Sequence, residues 1–172
     1  MSGGAPIGAE IAPDRESAVA RAAEWRERDL AIVFTNGVFD LVHRGHADAL
    51  AQAKQLGDRL IVGVNDDASV RRLKGPARPL VALEDRMALL AALAAVDLVV
   101  AFSEDTPEEL IRALRPDVLV KGADYRPEEI AGGAFVRSYG GRVETVALTP
   151  GRATSALIDR ILDRHSKERE AT

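Results

Sequence analysis

Five short apolar runs punctuate this chain: "LAIVFT" (30–35), "RLIVGV" (59–64), "DLVVAF" (97–102), "DVLVKG" (117–122) and "RVETVAL" (142–148). Helix-spaced segments lie around and between them: "DRESAVARAAEWRERD", "HADALAQAKQLG", "LEDRMALLAALAAV", "TPEELIRALR", "GGAFVRSYGG" and "TSALIDRILDRH". Near-continuous apolar strands alternating with helices predict an α/β fold, a doubly wound five-stranded parallel sheet with helices on both faces. A length of 172 residues predicts one domain, over 14–172. Residues 1–13 are small, Pro/Gly-containing and unpatterned, and are expected to be a flexible leader.

In such sheets ligands gather at the carboxyl ends of the strands, at the point where strand order reverses. The chemistry is therefore expected in "TNGVFDLVHRGH", "VNDDASVRRLKG", "FSEDTP", "KGADYRPE" and "LTPGRATS". In the first of these, Asn36-Gly37 reads as a turn after the strand, and a helix is expected to begin near Gly45. That start puts His43 and His46 at i and i+3 on its first turn, beside main-chain amides without helical partners. Free amides, the positive end of the dipole and two imidazoles make a phosphate site. Two other readings stand beside it. One histidine caps the helix while the other is merely half-buried, or the pair ligates a metal. With three histidines and no cysteine in the chain, a zinc site would need carboxylates to complete it, so no metal ligands are assigned.

A net charge of −4 with scattered Lys and Arg argues against a nucleic-acid surface. The absence of cysteine suits a reducing cytoplasm. The first residues lack a secretory pattern, and no apolar run reaches the roughly 18 residues of a membrane span.

The stretch "GVFDLVHRGH" resembles the G-x-F-D-x-x-H-x-G-H signature of the cytidylyltransferase-like nucleotidyltransferases. The stretches "VNDDASVRRLKGPARPLVALEDRMALLAALAAVD" and "EDTPEELIRALRPDVLVKGADYRPEEIAG" are similar to the branch of that family that adenylylates heptose 1-phosphates. The resemblance runs from about Leu30 to about Leu162 and implies a Rossmann-like sheet in a stand-alone nucleotidyltransferase, without the sugar kinase to which that branch is often fused. It implies catalytic roles for His43, His46 and Lys74. The nucleotide would be bound by Thr35, Asn36, Gly37, Phe39, Gly45, Arg86, Lys121, Gly122, Thr154 and Ser155, and the acceptor by Asp67 and Asp124. Tyr125 is a weaker candidate for the same contacts. Outside the resemblance, Lys74 and Arg86 read as a solvated loop lysine and a helix-surface arginine, Asp67 and Thr154 as helix caps. Lys121, in an otherwise apolar strand, is hard to place as core.

The "TPGRATS" segment departs from the family at Ala153, where a serine is usual, and Val38 stands where heptose enzymes often carry cysteine. The implied reaction is AMP transfer from ATP to a sugar 1-phosphate, with Mg²⁺ bridging phosphates, in a cytoplasmic homo-oligomer. The rivals are a glycerol-3-phosphate cytidylyltransferase and a non-catalytic nucleotide sensor.

Overall fold

A computed structural model describes residues 8–126, 128–151 and 154–170. Among the described residues the strands are β1 (Glu10–Ala12), β2 (Ile32–Gly37), β3 (Arg59–Asn65), β4 (Leu98–Phe102), β5 (Val118–Gly122) and β6 (Arg142–Val146). The helices are α1 (Arg15–Arg26), α2 (Arg44–Lys54), α3 (Asp67–Lys74), α4 (Leu83–Ala91), α5 (Glu108–Leu114), α6 (Gly133–Ser138) and α7 (Thr154–Glu170). All strand pairs are parallel, in the order β1-β4-β3-β2-β5-β6.

Period-two alternation divides each strand between two cores. Ile32, Phe34, Ile61, Leu98 and Val100 pack under α1 and α5 through Ala18, Ala22, Trp25, Leu110 and Ile111. Val33, Leu60, Val62 and Val99 face the other way, against Leu50 and Ala53 of α2 and Met87 and Leu90 of α4. Both faces are covered, which is why the strands read as unbroken apolar runs.

The sheet has six strands rather than the expected five. The extra one, β1, lies inside the segment expected to be a leader; residues 1–7 of that segment lie outside the described residues. Glu10, Ile11 and Ala12 pair with Leu98, Val99 and Val100. Three residues held at a sheet edge by main-chain hydrogen bonds need no apolar periodicity, so pattern reading passes over them. Asp14 then caps α1, its carboxylate accepting from the Ser17 amide at 2.7 Å.

Three local expectations are also corrected. Asn36-Gly37 is not a turn: both residues pair within β2, with Gly63 and Val64 of β3. The turn follows them, at Phe39 (φ 52°) and Leu41 (φ 54°), two left-handed residues without the freedom of glycine. The segment after β3 is a helix, α3, and Lys74 is its last residue rather than a loop lysine. Asp66, not Asp67, caps it, accepting from the Ser69 amide at 2.7 Å.

β2 and β5 are neighbours although β3 and β4 intervene in the chain, so strand order reverses between them. Their pairing is short, Val33 with Val118 and Phe34 with Leu119. Beyond it each strand runs three residues further, and a cleft opens between Thr35–Gly37 and Val120–Gly122.

Candidate active site

The cleft has a volume of about 830 Å³, within the range of small-molecule sites. It gathers twelve of the residues singled out from the sequence: Thr35, Asn36, Gly37 and Phe39 from β2 and its turn, His46 from α2, Lys74 from α3, Lys121, Gly122, Asp124 and Tyr125 from β5 and its loop, and Thr154 and Ser155 from α7.

The two histidines start α2 in a reciprocal cap. His43 Nδ1 accepts from the Gly45 amide at 3.1 Å, and His46 Nδ1 accepts from the His43 amide at 3.3 Å. Their rings stack with centroids 4.0 Å apart, and Phe39 meets His46 edge-on at 5.3 Å. An Nδ1 that accepts an amide proton carries none, so the remaining proton of neutral His46 sits on Nε2. The cap thus uses Nδ1 and leaves the Nε2–H on the opposite side of the ring available to a ligand. Burial, then the neighbouring His43, push the His46 pKa down to about 4, so near neutrality it is a neutral donor. Gly45 is buried in the same turn.

That shift has a sign for stability. Between pH 6.5 and about 4 the unfolded chain binds a proton at this imidazole and the folded chain does not, so folding is penalised as pH falls through that window. Urea midpoints measured from pH 7 to pH 4 should fall, with this residue accounting for on the order of 3 kcal/mol, and His46→Asn should flatten that slope.

Lys121 stands where β2 and β5 part. Its Nζ donates to the Asn36 carbonyl at 3.1 Å and lies 5.4 Å from the centre of the Tyr125 ring. Burial lowers its pKa to about 8, partly offset by the Asp124 carboxylate. The side-chain Oδ1 of Asn36 is buried and has no partner among the described residues. Gly122 is fitted to this corner: a Cβ there would come within 2.7 Å of Asp124 Oδ1 and 2.9 Å of Leu148 Cδ2.

Four of the implied contact residues, Arg86, Asp67, His43 and Thr154, have structural roles of their own in the chain. Arg86 is fully buried. Its Nε donates to the Val81 carbonyl at 3.0 Å, its Nη1 to those of Val38 at 2.5 Å and Asn65 at 2.9 Å, and its Nη2 to Asp67 Oδ1 at 2.7 Å. The arginine therefore joins the carboxyl ends of β2 and β3 to the start of α3, with Asp67 as its counter-ion, and neither residue lies on the cleft wall. His43 also stands behind the wall rather than on it. The Thr154 hydroxyl donates to the Asp40 carbonyl at 3.0 Å, tying α7 to the histidine turn. Ala153 lies outside the described residues.

Asp40 was not among the residues singled out from the sequence. Asp40 is 1% exposed, and its carboxylate accepts from Arg78 Nε at 2.5 Å and from the amides of Leu80 at 2.8 Å and Val81 at 2.9 Å. Burial alone raises its pKa, but those three donors outweigh burial and leave it below the ordinary aspartate value. It pins the 78–81 segment to the histidine turn, and the left-handed residues on either side of it cost roughly 1 kcal/mol or more each. The signal was a lone acid inside an apolar "VFDLV".

Among the described residues no helix is long and apolar enough to cross a membrane. The pattern of the cytidylyltransferase-like family matches residues 34–143. The Bifunctional protein HldE of Syntrophotalea carbinolica is 56% identical over 142 residues, 83% of this chain and 29% of that protein. Its namesake from Chromohalobacter salexigens is 58% identical over 160 residues, 91% of this chain and 33% of that protein. The chain thus spans about a third or less of the length of these relatives. A solved neighbour is the lipopolysaccharide core biosynthesis protein from Thermoplasma volcanium. It has a TM-score of 0.58 at 30% identity, over 70% of this chain and 97% of that one.

Proposed function

Because the chain belongs to the cytidylyltransferase-like family, we propose that it transfers AMP from ATP to a heptose 1-phosphate, releasing pyrophosphate and forming ADP-heptose. One observation carries the choice of substrate. The two stretches that resemble the heptose branch, "LKGPARP" and "VKGADYRPEE", come together on the cleft through Lys74, Arg78, Lys121 and Asp124.

The nucleophile, a sugar-phosphate oxygen, is already an anion at neutral pH, so the reaction needs no strong base. The protein must align two polyanions and stabilise charge as it grows on the α-phosphate and the leaving pyrophosphate. A neutral Nε2–H on His46 and the Lys121 ammonium are the donors on hand, since the Gly45, His46 and Ala47 amides at the start of α2 already donate to His43. Lys74, exposed at the end of α3, adds a mobile positive charge at the rim.

Mg²⁺ accompanying ATP would be held mostly by phosphate oxygens and water, with one or two carboxylates, and would neutralise phosphate charge. Among the described residues no group of three or more His, Asp or Glu side chains could hold an ion alone. Asp40 and Asp67 are committed to arginines, and Asp124 on the cleft wall fits the smaller role. The same reading places the enzyme in the cytoplasm with its ATP, as a homo-oligomer whose mass light scattering would give.

The test is pyrophosphate release with ATP, CTP and GTP against heptose 1-phosphate and glycerol 3-phosphate. ATP with heptose 1-phosphate should be fastest. Preference for CTP with glycerol 3-phosphate overturns the proposal, and ATP binding without turnover on any sugar phosphate points to a nucleotide sensor. A pH profile adds a second check. Lys121 loses its charge as pH rises through about 8 in the empty enzyme, so kcat/KM should fall above that value. In kcat the same limb should move to higher pH, because bound phosphate holds the proton on the lysine.

A further inference from the structure

We propose that Arg78 is a phosphate-binding residue of the cleft, presented to the ligand by the buried carboxylate of Asp40. In the sequence it is one basic residue among several in "RRLKGPARP", with nothing to set it apart. Its surroundings do set it apart. Arginine commonly meets a carboxylate with two parallel N–H groups, one to each oxygen. Here the second oxygen, Oδ1, accepts from the Val81 amide, and only Nε of Arg78 is used, on Oδ2. The terminal Nη groups have no acceptor among the described residues, yet the side chain is only 22% exposed and lines the cleft.

A guanidinium fixed by its inner nitrogen and unsatisfied at its outer ones is a preorganised anion receptor. The entropy of fixing the long side chain is lost on folding rather than on binding. The receptor is also well placed. Asp40 ties it to the turn that leads from β2 into α2, the helix that carries His46, and the Asp40 carbonyl accepts from Thr154 at the start of α7. The anion is a phosphate group. For its source, the triphosphate or the sugar phosphate, the inference rests on the reaction proposed above; for the anion itself it rests on the geometry of this side chain.

The experiment titrates inorganic pyrophosphate and ATP calorimetrically into the parent protein, Arg78→Gln and Arg78→Lys. Steady-state kinetics accompany it, with ATP and heptose 1-phosphate varied in turn. Arg78→Gln should weaken pyrophosphate binding about tenfold or more, as expected for loss of a charge-assisted hydrogen bond. Millimolar free guanidinium should restore part of the activity. Arg78→Lys keeps a cation beside Asp40 and should melt close to the parent while still binding pyrophosphate weakly, because an ammonium lacks the outer fork. A raised KM confined to ATP assigns the contact to the triphosphate, and one confined to heptose 1-phosphate assigns it to the acceptor. Unchanged pyrophosphate affinity in both variants, or a loss confined to melting temperature, overturns the inference. Pyrophosphate binding that depends on Arg78 in a parent protein that turns over neither substrate pair would overturn the proposed reaction and leave this contact standing.

Discussion

His46→Ala is expected to lower kcat about a hundredfold or more while leaving the KM for ATP within a few fold. The imidazole is a single neutral donor on the cleft wall, and a bound triphosphate would meet many other groups there, so ground-state binding should lose little. Charge that appears on the leaving pyrophosphate loses a donor that needed no reorganisation, and kcat and kcat/KM should fall together. His46→Gln separates donation from charge. Its amide N–H stands close to where Nε2–H stood, so it should recover part of the lost turnover without any titrating group. With a pKa near 4 in the empty enzyme the imidazole should also leave no limb in kcat/KM between about pH 5.5 and 8. Near-normal turnover of His46→Ala at saturating ATP and sugar phosphate would remove the residue from the chemistry. A kcat that falls as pH rises through 6.5 would make the charged imidazolium the active form.

The alternation of strands and helices was legible because both faces of the sheet are covered, which leaves each interior strand apolar along its length. Edge strand β1 left no such trace, since main-chain pairing to Leu98–Val100 makes no demand on side-chain pattern. The histidine pair was legible by position, at the end of the first interior strand and the start of a helix. That both caps fall on Nδ1 was not, because it depends on how the two rings turn in the folded chain. The same limit applies to Asp40 and Arg78, which lie 38 positions apart in the chain and meet only when the 78–81 segment folds over the turn after β2. Sequence spacing reports neighbours on one helix or strand. It carries little information about loops that converge from different strands, and this cleft is built mostly of such loops.

Arg86→Met is expected to cost about 3–5 kcal/mol of stability, a large share of the roughly 5–15 kcal/mol that holds a domain of this kind together. Methionine fills most of the space but donates nothing. Three carbonyls, those of Val38, Asn65 and Val81, lose their donor, and the Asp67 carboxylate loses its counter-ion. Asp67 is partly exposed and can turn to water, so most of the cost falls on the buried carbonyls. Lysine should not rescue the site, because one ammonium cannot span acceptors that lie on the ends of two strands and a helix. Urea denaturation of Arg86→Met and Arg86→Lys, paired with ATP titration under conditions where each is folded, separates the two roles open to this arginine. If it works as a brace, the midpoints drop sharply in both variants, and the folded fraction binds ATP with an affinity within a few fold of the parent. If ATP binding collapses while the urea midpoint stays put, the guanidinium must leave its carbonyls and turn into the cleft when nucleotide arrives, and the brace would be only the resting position of a ligand contact.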